Sequence, residues 1–272
     1  MRLSAAAWSF VGTTLHESAR MWRALGIDAI DLLASPGSLV DANQIVENPI
    51  FHARQVTATG SDLSNLIFFP GPWFDNPPTN TKDPEVRKRL ENVYARVFEF
   101  CNEASIPSVI ISPGIDLSGS THEESQALSI DVLNSLSIQA ATNGITLMFE
   151  PHVGSVMESP IETLACLQAN PDLRIVLDYS HFLVQGYIQQ EVDPLAPFCA
   201  HVHLRQATRG HIQTRWEDGT IDIENEISLL RRNGYSGFLA LEYEFDPTWL
   251  RMDEVDVVTE SIKMRNAVRP LI

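Results

Sequence analysis

Four apolar runs in this chain end in side chains that can ligate a cation or move a proton. Residues 145–149 run into Glu150, 174–177 into Asp178, 200–202 into His203 and 238–241 into Glu242. A short apolar run bounded by polar residues is the pattern of a strand buried on both faces, and in parallel α/β proteins ligands bind where such strands end. Three carboxylates and one imidazole form an oxygen-rich donor set for one divalent ion. Mn2+ suits the set best, and Mg2+, Co2+ or Zn2+ also match it. Taken singly, Glu150 and Asp178 each have an ordinary reading as a capping or turn residue. Separate bland causes recurring at four successive strand ends explain less than one shared site, because a buried unpaired charge is costly.

Strand periodicity selects among neighbours. In His201-Val202-His203 the two histidines face the same side, about 7 Å apart along the strand. His203 is nearer the strand's C-terminal end and is the expected ligand, with His201 one layer deeper as a hydrogen-bonded interior histidine. The same logic prefers Glu242 to Glu244, which stands one step further into the loop.

The elements that must carry these residues alternate along the chain. Strand-like runs at 3–10, 27–33, 66–69, 108–112, 145–150, 175–178, 200–204 and 238–242 are separated by helical patterns. The helices are expected at 14–25, 39–59, 83–104, 121–143, 161–169, 223–232 and 254–268, and a proline-rich loop at 73–82. Asp83 is an expected N-cap with Pro84 at the first helical position, Ser159 is a second cap, and Gly144 closes a long helix. Eight strand–helix units without a compositional break predict an α/β fold, a single-domain (β/α)8 TIM barrel over residues 1–272. The first strand-to-helix turn, Ser9-Phe10-Val11-Gly12-Thr13, lacks the glycine-rich phosphate motifs of open doubly wound sheets.

Composition bounds the partners. The formal net charge is −16, with 44% hydrophobic and 20% charged residues. Such acidity argues against nucleic acid and anionic membranes and leaves a small molecule as the expected partner. No stretch approaches the roughly 18 apolar residues of a membrane span. The apolar part of the N-terminus is too short for a secretory signal. Cys101, Cys166 and Cys199 show no paired spacing and are expected to be buried thiols, so the expected location is cytoplasmic.

The motifs Glu150-Pro151-His152, Asp178-Tyr179-Ser180-His181, His203-Leu204-Arg205 and Gly234-Tyr235-Ser236-Gly237 leading to Leu241-Glu242 resemble the xylose isomerase-like barrel superfamily. The resemblance covers essentially the whole chain and is best from 145 to 244. It implies one divalent metal held by Glu150, Asp178, His203 and Glu242. It further implies that Glu150 and Glu242 are acid/base groups on opposite faces of the substrate, and that His181 contacts it. The implied activity is isomerase or epimerase chemistry on a small sugar, sugar phosphate or hydroxy-ketone through a metal-stabilised enediolate. The alternative is a metal-dependent lyase or dehydratase acting on a keto-sugar or cyclitol. Homo-oligomers are common in that superfamily.

The chain also departs from the pattern. Arg205-Gln206 stand where relatives often have an acid, which argues against a second metal. The segment 207–222 is longer and more basic than usual, and Arg205 or Arg209 is expected to face a substrate oxygen or carboxylate. His152 is a further expected substrate contact. Trp8, Phe69, Trp73 and Trp216 are either pocket walls or packing residues.

Overall fold

The computed structural model describes residues 1–73, 75–245 and 252–272. Among them, eight parallel strands form the barrel: β1 (Arg2–Ala6), β2 (Ala29–Ser35), β3 (Asp62–Phe68), β4 (Ser108–Ile111), β5 (Thr146–Phe149), β6 (Ile175–Leu177), β7 (Cys199–Leu204) and β8 (Phe238–Leu241). Each pairs with its chain neighbours, and β1 pairs with both β2 and β8, so the sheet closes on itself. Closure removes the exposed edges of an open sheet. A two-residue spur, Val40–Asp41, adds to β2.

The helices begin where their caps predict. Thr14 and Thr121 form reciprocal capping boxes with Glu17 and Glu124. Asp83 accepts from the N–H groups of Glu85 and Val86 ahead of the helix Pro84–Ala104, and Ser159 caps Pro160–Ala169. These oxygens satisfy N–H groups that have no partner within a helix. The helix His122–Thr142 ends before Gly144, whose φ of +70° is a conformation that only glycine adopts without strain.

Three expectations change. The run 3–10 ends as a strand at Ala6 and tightens into a short 3-10 turn, Ala7–Ser9. The run 39–59 is two helices, Ala42–Glu47 and Pro49–Thr57, broken at Asn48 because Pro49 disfavours helical backbone in the residue before it. Between β6 and β7 lie two four-residue helices, Ser180–Leu183 and Gln189–Val192, and the 3-10 segment Asp193–Phe198. Helices that short depend on tertiary contacts rather than on propensity, so they leave no periodic pattern to read.

Apolar packing divides into two parts. The larger lies between strands and helices and includes Trp22, Phe98, Phe149, Leu177 and Met264. The smaller fills the barrel's interior with Ile67, Ile110, Met148 and Val176, and Trp8, Leu33 and Phe69 pack against it. The rest of the interior is polar. Asp31 accepts from Ser4 Oγ at 3.1 Å and from Ser64 Oγ, and Ser108 Oγ donates to Asn65 at 2.8 Å. Strand register is irregular at Ile30/Asp31 and at Ile175/Val176. Bulges of this kind re-aim side chains, and the first brings Asp31 and Ser64 together. Among the described residues no helix is long and apolar enough to cross a membrane.

A buried acid without a full set of partners stands outside the barrel's interior. Glu226, on the helix Ile223–Arg232, is 1% exposed, and its Oε1 has no hydrogen-bond partner. Burial pushes its carboxyl well above the ordinary carboxylate range, and the charges of Asp178 and Asp193 add to the effect. A group with a raised folded-state pKa contributes stability that is complete below its unfolded pKa and is lost as pH rises through the folded one. Glu226→Gln is therefore expected to raise stability at about pH 8, where the acid must ionise or hold its proton against solvent, by roughly 1–3 kcal/mol. At about pH 5 the gain should shrink. An equal effect at both pH values in thermal melts would count against the buried neutral acid.

Candidate metal centre

The C-terminal rim of the barrel gathers the four residues named from sequence. Glu150, Asp178 and Glu242 each follow the last residue of a strand, and His203 is the penultimate residue of β7. One ligand atom from each of the four lies within 4.8 Å of those of the other three. His203 Nδ1 is 3.1 Å from Glu150 Oε1 and 3.2 Å from Glu242 Oε2. Asp178 is 2% exposed, His203 1% and Glu242 5%, so the cluster is withdrawn from bulk water.

The charges adjust to this crowding. Burial alone would raise Glu150, yet the hydrogen bond and charge of His203 hold its carboxyl well below the usual range. Burial pushes Asp178 up, partly countered by Arg205, with Glu242 and Glu150 raising it further. Burial would lower His203, but the charge of Glu242 and the hydrogen bonds of Asp31 and Glu150 carry it well above an ordinary imidazole. A cation is therefore favoured at the point where Nδ1 meets the two glutamates, and Glu242 Oε2 is buried there without a hydrogen-bond partner. A set of three carboxylates and one imidazole, with an orphaned carboxylate oxygen inside it, fits a divalent ion.

The far side of His203 is also organised. Its Nε2 lies 3.5 Å from Asp31 Oδ2, and the same oxygen is 2.6 Å from His201 Nε2. His201 thus sits one layer down, bonded to a fully buried carboxylate. The hydrogen bonds and charge that Asp31 receives there outweigh its burial and keep it ionised. A carboxylate behind a ligating histidine orients the ring and raises its basicity. Asp31, His201 and His203 could also be grouped as metal donors, but Asp31 is already committed to Ser4, Ser64 and His201.

The remaining expected residues separate. His181 is 1% exposed; its Nε2 is 3.7 Å from Asp178 Oδ2 and 3.9 Å from Glu150 Oε1. Its Nδ1 accepts from the Val153 N–H at 3.5 Å. The His152 ring lies 4.1 Å from that of His181, and its Nδ1 is 2.6 Å from the Val153 carbonyl oxygen. Arg205 is buried: Nη2 donates to Asp178 Oδ2 at 2.7 Å, and Nε donates to Ser180 Oγ at 2.8 Å. Arg209 does not join them. It is exposed, and its side chain packs over Gly186 outside the cavity lining. His211 pairs with Asp253 at 2.8 Å, and Gln206 uses its amide to hold both the N–H and the carbonyl of Ile221.

A cavity of about 200 Å3 opens above the cluster. It is lined by the polar side chains of Glu150, His152, His181, Arg205, Glu242 and Glu244 and by the apolar Trp8, Leu33, Ile67, Phe69 and Trp73. Trp216 lies elsewhere, packed against the outer core. Two of these residues carried more than sequence indicated. Asp31 was hidden in an apolar strand, IDAIDLL, whose other acid, Asp28, precedes β2. Glu244, a loop position that sequence leaves as a rim candidate beside Glu242, lines the cavity, and burial beside Glu242 pushes it up to about 7.

Residues 16–267 match the family model described as xylose isomerase-like TIM barrel. The chain belongs to that family. This xylose isomerase-like barrel is 25% identical over 167 residues to an inosose dehydratase of Clostridium botulinum (strain Alaska E43 / Type E3), a match covering 53% of this chain and 55% of that one. It thus spans about half the length of the curated relative it matches. In fold it is similar to a D-psicose 3-epimerase solved in the presence of D-fructose, with a TM-score of 0.77, 14% identity, and 100% and 99% of the two chains covered. It is also similar to the IOLI protein with a bound zinc atom, with a TM-score of 0.73, 16% identity, and 100% and 99% covered.

Titration calorimetry with Mn2+ is expected to show one ion per chain. Because the donors must be deprotonated, affinity should fall as pH is lowered. Asp31→Asn should weaken binding by about 10–100-fold through loss of the carboxylate behind His203. Unchanged affinity in a folded Asp31→Asn protein would remove Asp31 from the site.

Proposed function

We propose that this chain is a divalent-metal-dependent isomerase or epimerase acting on a small keto-sugar or related hydroxy-ketone. The observation that carries the reading is the pair Glu150 and Glu242. They reach the same His203 Nδ1 atom from strands β5 and β8, at 3.1 and 3.2 Å, and both line the cavity. Paired carboxylates beside one carbon allow one to take a proton and the other to return it. A divalent ion held by Glu150, Asp178, His203 and Glu242 supplies, when bound, Lewis-acid polarisation of a carbonyl that acidifies the neighbouring C–H.

The protein's own groups do the rest. Glu150 and Glu242 hold and move the proton. His181 and His152 stand together on one side of the cavity, where they can orient substrate oxygens. Trp8, Phe69 and Trp73 supply apolar lining that excludes water, which strengthens every polar contact within. The cavity's 200 Å3 falls below the roughly 300–1,000 Å3 of sites for drug-sized ligands, so the substrate is small. The likeness to a D-psicose 3-epimerase supports this reading, and the net charge of −16 speaks against a nucleic-acid substrate.

A second reading, a lyase that expels a hydroxyl after the same deprotonation, is favoured by one observation, the partial match to an inosose dehydratase. Mass analysis separates the two, because isomerisation conserves substrate mass and dehydration removes water. For the leading reading, turnover of a ketose panel in D2O should place deuterium at the reacting carbon. Glu150→Gln and Glu242→Gln should each lower kcat by about 10²–10⁴-fold. Chelation should abolish turnover and Mn2+ should restore it. Full activity in either glutamine variant would refute the proton-transfer assignment.

A further inference from the structure

Glu244 is a carboxylate that the proton-transfer chemistry does not use, yet it is held in place from two directions. Gln213, which is fully buried, donates from its amide to the Glu244 carbonyl at 2.8 Å and accepts from the Glu244 N–H at 2.7 Å. Trp8 hydrogen-bonds the Glu244 side chain. A residue three positions past the end of β8 thus has a fixed backbone and a fixed carboxylate, and it faces the cavity.

Opposite it is an unmatched donor. Arg205 spends Nη2 and Nε on Asp178 and Ser180, but its buried Nη1 has no hydrogen-bond partner. Nη1 lies 3.7 Å from Glu244 Oε1, too far for a hydrogen bond between them. The gap presents one donor and one acceptor side by side. A hydroxyl fits both, accepting from Nη1 and donating to the carboxylate. A phosphate or carboxylate oxygen satisfies only the first and meets the ionised Glu244 as an acceptor facing an acceptor. The wider charge agrees. Glu150, Asp178, Glu242 and Glu244 surround a single guanidinium.

We propose that Glu244 and Arg205 Nη1, with Trp8 beside them, form a hydroxyl-recognition subsite that selects an uncharged polyhydroxylated substrate over its phosphorylated counterpart. The inference rests on the sugar-directed reading above and narrows it from sugars and sugar phosphates to neutral ones.

The test is binding of non-reacting probes to the Mn2+-loaded protein. Alditols of four to six carbons and their terminal phosphates are titrated into wild type, Glu244→Gln and Glu244→Ala. Wild type should bind at least one alditol about tenfold or more tightly than its phosphate. Glu244→Ala should weaken that alditol by roughly 10–100-fold, the range for a hydrogen bond to a charged group. Glu244→Gln, which keeps the shape and lacks the charge, should erase most of the discrimination against phosphate. If the alanine variant does not fold, the glutamine variant decides. Equal or tighter binding of the phosphate by wild type, no detectable alditol binding, or unchanged discrimination in Glu244→Gln overturns the subsite. Turnover of the matching ketoses is scored separately: alditol selectivity without conversion of any ketose counts against the proposed reaction and leaves the subsite standing.

Discussion

Electrostatic repulsion among Glu150, Asp178, Glu242 and Glu244 is the constraint around which the barrel's rim is built. Like charges about 4 Å apart repel by roughly 4 kcal/mol at an effective dielectric near 20, and here the acids are withdrawn from water as well. Two cations sit among them. His203 touches Glu150 and Glu242, and Arg205 touches Asp178 and approaches the other two acids on its side. Neither neutralises the group, which is why an orphaned Glu242 oxygen and a raised Glu244 persist. Such a site gains when a divalent cation enters, and the folding free energy it would otherwise cost becomes affinity for the ion.

The fold's contribution is placement. Parallel strands carry each side chain to the same rim, and closure sets β5 to β8 around one half of it. Two irregularities refine the result. The shift at Ile30/Asp31 leaves Ser64 of β3 unpaired beside Asp31, and the shift at Ile175/Val176 sets the register of the strand that holds both histidines. Loop residues finish the positioning through bidentate amides: Gln206 ties down Ile221, and Gln213 ties down Glu244.

The architecture and the four-residue cluster were legible in sequence because each depends on a local pattern. Apolar runs ending in acids mark buried strands, and Thr14, Asp83, Thr121 and Ser159 mark helix starts. What escaped was non-local. Asp31 looks like any polar interruption of a strand until Ser4, Ser64 and His201 arrive from three other strands. Arg205 and Arg209 look alike as basic residues after β7, yet one is buried against Asp178 and the other lies over Gly186. The break at Asn48 was written in Pro49 and was outweighed by the helical pattern around it. The short helices after β6 had no pattern to offer.

The most direct measurement of the metal assignment is anomalous diffraction from crystals grown with Mn2+. A single anomalous peak within coordinating distance of Glu150, Asp178, His203 Nδ1 and Glu242 is the expected result. No peak on the rim, or a peak between Asp31, His201 and His203 instead, would contradict it.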